Sequence, residues 1–380
     1  MDGSSGALRC ARWPRPGRPW VPAGSWPGST AGWTRPSSLP TTAESTCAST
    51  PTMCWTVTAA ARSWSGPTWS EKLSRGGLPG KEALMAGRFT KDEMMQMDPT
   101  FLRMHLRERV HHTIEHQLYS IIHQGRRPGP AFGGVVREIF DVWQARGLPT
   151  DLPDIKWMRT LMELAERVKR GEQIEAVPGG YLPEPLNPQD MQAWEKLLLG
   201  RRSYRHWDDR PVPSWMVEKI LEAGMWAASG CNLQIWRFIV IEDPEVLRKF
   251  ANLEFEVEKV KIVCCVDTRG YDQVQYPPPK KNQLLDVGAA LQNMALMAHA
   301  QGLGGCWSTF SQQQIDGIHR HFQLPGYIEV VTYLSLGWAA EKVLPPQRMS
   351  YSEAILAWVG KADGNCAGGK DRPGDAMMVR

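Results

Sequence analysis

Three arginines within five residues, Arg201, Arg202 and Arg205, flank a hydroxyl at Ser203. A guanidinium is a planar fork of donors that grips phosphate through two bonds at once, and a hydroxyl adds another donor. The run is therefore a compact anion site. Arg348, distant in sequence, follows two prolines that hold it in an extended loop. Between a helical pattern and a strand pattern lies Ser229-Gly230-Cys231-Asn232-Leu233-Gln234. Its small side chains, amides and backbone let a planar polar ligand approach closely. His105, His111, His112, His116 and His123 share one helix, and His112 and His116 have the i, i+4 spacing of a metal-binding pair. Two ligands without a nearby cysteine do not make a metal site, so a His-rich surface helix is expected and no metal is assigned. Covalent machinery is not evident: there is no G-x-S-x-G elbow, no Walker loop, and no G-x-G-x-x-G after a strand. Gly302-Leu303-Gly304-Gly305 follows a helix instead.

The elements that must position these groups begin near residue 89. Leu102, Leu106, Val110, Ile114, Leu118 and Ile122 recur every four residues and predict a helix with a slowly drifting apolar stripe, stopped by Pro128 and Pro130. A second helix is read around Val135–Trp143, ending near Gly147, and a third from Ile155 to Arg170 with Gly171 as its stop. Residues 176–188 read as a Pro-rich linker. A short amphipathic helix with Met191, Trp194, Leu197 and Leu198 leads into the arginines, and another carries Val217, Ile220, Leu221 and Met225. Buried strands are expected at 237–241 and 260–266, a long helix at 284–301, a strand at 329–336 and a short helix at 352–358. Cys264 and Cys265 are then core residues, and Cys306 beside Trp307 is packing. Tyr271 and Tyr276 either line a substrate channel or sit on an exposed loop, and Lys280-Lys281 is a solvated helix start. One sheet with alternating helices gives an α+β or α/β domain.

Net charge and composition set the outer bounds. Of 380 residues, 44 are Lys or Arg and 40 are Asp or Glu, so no global basic field argues for nucleic acid. No apolar run is long enough for a membrane span and no secretory signal is evident, so a soluble, cytoplasmic protein with reduced thiols is expected. Residues 1–80 are unlike the rest, with seven Trp against six Leu, Val and Ile together. Residues 1–88 hold ten Lys/Arg against four Asp/Glu. Either this is a basic aromatic tail that stacks on single-stranded nucleic acid, or it is a disordered extension or misassigned start, with Met85 as the initiator. The tryptophans show no repeat and sit beside Pro, Ser or Gly, which favours the second reading.

In order along the chain stand RRSYR, PVP, AASGCNLQIWRF, a long helix ending HAQGLGGCW, SLGW, and PPQR before a closing helix. Taken together, these resemble the nitroreductase family of FMN-dependent oxidoreductases over about residues 191–362. The resemblance implies an α+β, nitroreductase-like FMN-binding sandwich with a mixed or antiparallel sheet flanked by helices, built as a homodimer with FMN between subunits. It divides the chain into a low-complexity segment 1–88, a helical extension and linker 89–190, the FMN domain 191–362 and a flexible tail 363–380. It places Arg201 on the flavin phosphate, Arg202 and Ser203 beside it, Arg205 near the ribityl chain and N1/O2 edge, and Arg348 as a second phosphate ligand. Ser229, Asn232 and Gln234 match positions reaching the flavin from the other subunit. Gly305, Cys306 and Trp307 match the segment passing the ring's far side. Ala228 and Ile235 stand where the family usually has Pro, which is expected to loosen that loop. The implied activity is ping-pong transfer from NAD(P)H through flavin N5 to a small-molecule acceptor, such as a nitroaromatic or quinone. No side chain need be catalytic. The alternatives are a flavin-binding or interaction protein without NAD(P)H turnover, or a relative performing reductive dehalogenation or flavin cleavage. The extension is left as a pocket cap, a wider dimer interface or a partner surface.

Overall fold

The computed structural model describes residues 89–129, 132–177, 179–274, 281–357 and 359. The expectations for residues 1–88 (Met85 included), Tyr276, Lys280, Trp358 and the tail 363–380 lie outside the described residues. Three helices open the described part: α1 (Lys91–Gln96), α2 (Pro99–Val110) and α3 (His116–Gln124). A π-helical turn, His111–Glu115, joins α2 to α3 without a break. Four-residue spacing drifts about 40° per step on a 3.6-residue helix. The wider i→i+5 winding of the π turn absorbs part of that drift. Leu102, Leu106, Val110, Ile114 and Leu118 are consequently all fully buried. The helix stops at Gly125, whose φ of 65° forms a left-handed cap, and so ends before the prolines reach it. Next come α4 (Gly134–Ala145) and α5 (Pro153–Lys169), whose apolar faces pack with α2 and α3 around Trp143, Ile155 and Leu161.

A linker leads to α6 (Pro188–Gly200), which buries none of its residues. After it come α7 (Ser214–Met225), β1 (Trp236–Ile241), α8 (Pro244–Lys249), β2 (Val260–Asp267) and α9 (Arg269–Asp272). The chain continues with α10 (Lys281–Ala300), β3 (Gly304–Ser308), α11 (Gln312–Phe322), β4 (Ile328–Gly337) and α12 (Tyr351–Ala354). The strands form one antiparallel sheet in the order β1-β2-β4-β3. The fold is α+β.

β2 is buried along its whole length because both faces of the sheet are covered. Ile262, Cys264 and Val266 pack toward α7 and α10, while Val263 and Cys265 pack toward Phe250, Phe310 and Ile318. Burial pushes both thiols up, as befits core cysteines. β1, expected as a buried strand, is an edge strand with half-exposed residues at 237–239, because only β2 pairs with it. Tyr271 is not on an exposed loop: it is buried on α9. The helical extension has its own core but is tied to the sheet domain. Met104 of α2 joins the sheet's apolar cluster, and Arg107 Nη2 donates to Leu233 O at 2.8 Å.

Candidate functional site

Past Gly200 the backbone turns extended, and residues 201–205 run alongside β3. Ser203 forms a parallel bridge with Gly305, and Tyr204 N donates to Gly305 O at 3.2 Å. The period of two in extended backbone therefore puts Arg201, Ser203 and Arg205 on one side and Arg202 and Tyr204 on the other. Arg202 follows that division. Its guanidinium folds back to Leu199 O and to Arg201 O, where it caps the C-terminal carbonyls of α6. Arg201 and Arg205 instead converge on β3. Burial raises the Cys306 thiol, and the charges of Arg205 and Arg201 together with a hydrogen bond from Ser203 pull it back. His299 is pushed down by burial and then by Arg201 and Arg202. Arg205 also lies over the Phe255 ring at 5.1 Å, and Glu341 fixes the end of the run by accepting from Arg205 N at 2.6 Å. Among the described residues, no carboxylate pairs with the guanidinium of Arg201, Arg202 or Arg205. Trp307 is half-exposed beside them, its Nε1 donating to Thr332 Oγ1 at 2.9 Å. Arg348 lies on the exposed extended segment beyond Glu341 and shares no hydrogen bond or ion pair with this group among the described residues.

Ser229, Asn232 and Gln234 form a second group, organised by a carboxylate that sequence reasoning missed. Asp286 on α10 accepts from Ser229 Oγ at 2.9 Å, Gly230 N at 3.1 Å and Tyr271 Oη at 3.2 Å. Burial raises the Asp286 carboxyl, against the pull of those donors. Gln234 N donates to Ser229 Oγ at 2.8 Å, and Gln234 Nε2 to Asn232 Oδ1 at 2.9 Å. Cys231, Asn232 and Gln234 all adopt left-handed φ near 52–54°. Such backbone costs non-glycine residues free energy and persists only where the surroundings enforce it. Here the enforcement comes from Asp286 on one side and Arg107 on the other. A Cβ on Gly230 would lie 2.2 Å from Tyr271 Oη, so only glycine fits. The loosening expected from Ala228 and Ile235 is met by these contacts and by the full burial of Ile235.

The two groups occupy opposite ends of α10, one at Asp286 and one at His299. At 1.5 Å per residue Asp286 and His299 stand roughly 20 Å apart along the helix, while the Trp307 ring lies against Gly288, within a turn of Asp286. Asp286 was readable in principle, as a lone carboxylate in the apolar run LLDVGAAL. The expected His-rich surface holds for His112, His116 and His123, which are exposed, while His105 is buried. His112 lies against Glu108 and Cys231. The i, i+4 pair that mattered was Glu108–His112. No group of metal-ligating side chains occurs among the described residues, nor any helix long and apolar enough to cross a membrane.

Comparison with known proteins agrees with this architecture. The nitroreductase family model matches residues 198–281 and 275–338. A Methanothermobacter thermautotrophicus protein named for NADH dehydrogenase and NAD(P)H nitroreductase activity is 33% identical over 149 residues, 37% of this chain and 74% of that protein. Pig iodotyrosine deiodinase 1 is 31% identical over 91 residues, 23% of this chain and 32% of the deiodinase. A Desulfovibrio desulfuricans protein solved in complex with FMN is 30% identical and covers 46% of this chain and 99% of its own, with a TM-score of 0.38. An α+β sheet domain with this arginine segment and this polar loop belongs to the nitroreductase family, and the chain is an oxidoreductase of that family.

Proposed function

We propose that the chain is an FMN-dependent NAD(P)H oxidoreductase that passes reducing equivalents to a small acceptor such as a nitroaromatic or quinone. The observation that carries this reading is the unspent positive charge at Arg201 and Arg205, held on rigid backbone beside β3. The donor set fits the group. A phosphate needs cations and a hydroxyl, and Arg201, Ser203 and Arg205 face one way with no carboxylate partner among the described residues. Bound FMN supplies hydride chemistry at N5 between NAD(P)H and the acceptor.

The protein's own task is to bind and orient. Arg201 neutralises the phosphate. Arg205 supplies a fixed cation toward the ring edge where negative charge gathers on reduction. Trp307 and the backbone from Gly305 border the ring, and Ser229, Asn232 and Gln234 supply polar contacts at its edge. No side chain need transfer a proton for this division of labour to work.

The arginine segment meets α10 near His299 and the polar loop meets it at Asp286, and the family resemblance asks that both reach one flavin. A homodimer that pairs the arginine segment of one chain with the polar loop of its partner resolves this. Unburied apolar side chains support it: Trp194, Leu199, Trp215 and Trp226 are exposed on and beside α6 and α7. Arg348, on its exposed extended segment, would join the phosphate site in that assembly. Anaerobic addition of NADPH or NADH to the flavin-loaded protein is expected to bleach the flavin bands, and a nitroaromatic or quinone to restore them. Flavin bands that resist both nucleotides would overturn the oxidoreductase reading in favour of a binding role.

A further inference from the structure

A second chemical centre lies where the helical extension meets the polar loop. His112, in the π-helical turn, points its Nε2 at the Sγ of Cys231, 3.8 Å away. Its other nitrogen, Nδ1, lies 3.0 Å from Glu108 Oε1. Glu108 is completely buried and is held on its far side by a bidentate bond from Arg109. The order thiol, imidazole, carboxylate is the arrangement by which a histidine activates a nucleophile while an acid fixes its orientation. Cys231 differs from the other described cysteines, since Cys264, Cys265 and Cys306 are buried while it is half-exposed.

We propose that Cys231 and His112 form a thiolate–imidazolium pair, oriented by Glu108, that adds covalently to soft carbon electrophiles of the α,β-unsaturated carbonyl and quinone class. Cys231 sits in the loop that the flavin reading brings to the ring edge, but the addition itself needs no cofactor. Cys231 and Glu108 raise His112 to about 10 against partial burial, so the ring stays charged beside Sγ. The charges around the pair are Glu108, Arg109, His111 and His116 from the helix side. Tyr271 and Asp286 stand on the loop side. His111 is bound by Glu115 at 2.7 Å. His116 is pushed down by burial and then by His111 and His112, so it favours its neutral form.

The neighbouring donors decide the reaction class. Acyl transfer needs free N–H groups for a tetrahedral oxyanion. Here Gly230 N is spent on Asp286, Asn232 N on Ser229 O, Leu233 N on Gly230 O and Gln234 N on Ser229 Oγ, which leaves Cys231 N, without a bond among the described residues, as a single donor beside Sγ. Conjugate addition puts its developing charge on a remote carbonyl and has no such need. Sγ attacks the β-carbon and a C–S bond forms, while the C=C π pair shifts toward the carbonyl oxygen. His112 Nε2–H then delivers its proton to the α-carbon. The net change is addition of S–H across C=C, with no oxidant or reductant consumed.

The test is timed alkylation of the full-length protein by N-ethylmaleimide, with the modified cysteines identified by peptide mass mapping. At pH 6, Cys231 is expected to react about ten-fold faster in the native protein than in His112→Gln, the gain in thiolate fraction exceeding the loss in intrinsic nucleophilicity. Its rate should be nearly flat from pH 6 to 8 in the native protein and rise about ten-fold per pH unit in the variant. Glu108→Gln should fall between them. A ten-fold rise per unit in the native protein would overturn the proposal. So would a Cys231 that is modified only after unfolding. Should His112→Gln fail to fold, the native pH slope decides alone.

Discussion

The arginine segment and the polar loop prepare for a ligand in opposite ways. Around Arg201 and Arg205 the guanidinium charges meet no carboxylate among the described residues, which leaves them available to an anion. Around Ser229 and Gln234 nearly every polar group already has an internal partner, and what is stored is backbone shape, three left-handed residues out of four. The first region should tolerate substitution at little cost to stability while losing ligand. The second should lose stability first and ligand as a consequence.

The largest effect is expected at Asp286. Replacing it with alanine strands Ser229 Oγ, Gly230 N and Tyr271 Oη together, and about 3 kcal/mol of stability should disappear in a urea titration. A loss below about 1 kcal/mol would mean that the loop holds its shape without the carboxylate. Arg201→Ala should weaken FMN binding by about 10- to 100-fold, measured by flavin fluorescence quenching, through loss of a charge-assisted phosphate contact. Its urea midpoint should barely move, because Arg201 has no carboxylate partner among the described residues. Asn232→Gly keeps the left-handed backbone without strain and removes only the amide. Stability should change little, and FMN affinity should fall less than for Arg201→Ala.

The smallest effect is a pH dependence where the extension meets the loop. His112 is raised in the folded protein from its ordinary value of 6.5 to about 10, so its contribution is complete below pH 6.5 and is lost as pH rises toward 10. Amide exchange at residues 229–234, corrected for the intrinsic rise of exchange with pH, should show protection falling over that window. In His112→Gln the fall should be absent.

The arginine segment was legible because its chemistry lies in consecutive residues, and β2 because burial on both faces leaves the apolar run Ile262–Val266. β3 was not. Its five residues begin with Gly304 and Gly305, which carry no side-chain pattern, and it is a strand only because β4 pairs with it. α11 was also missed, its polar run QQQIDGIHRHF offering few apolar positions. The loop's residues could be named from sequence, but what shapes them could not. Asp286 and Arg107 reach the loop from 57 and 126 residues away. Spacing along the chain carries no signal of such contacts.

The most direct test of a flavin shared between unlike half-sites is complementation. Arg201→Ala and Asn232→Gly chains are coexpressed, and bound FMN per chain is compared with that of each variant alone at a fixed FMN concentration. With half-sites from different chains, each mixed dimer carries one intact site and one doubly altered site, so about one site in four should regain native affinity. No recovery above either variant alone would contradict the shared site and return both half-sites to a single chain.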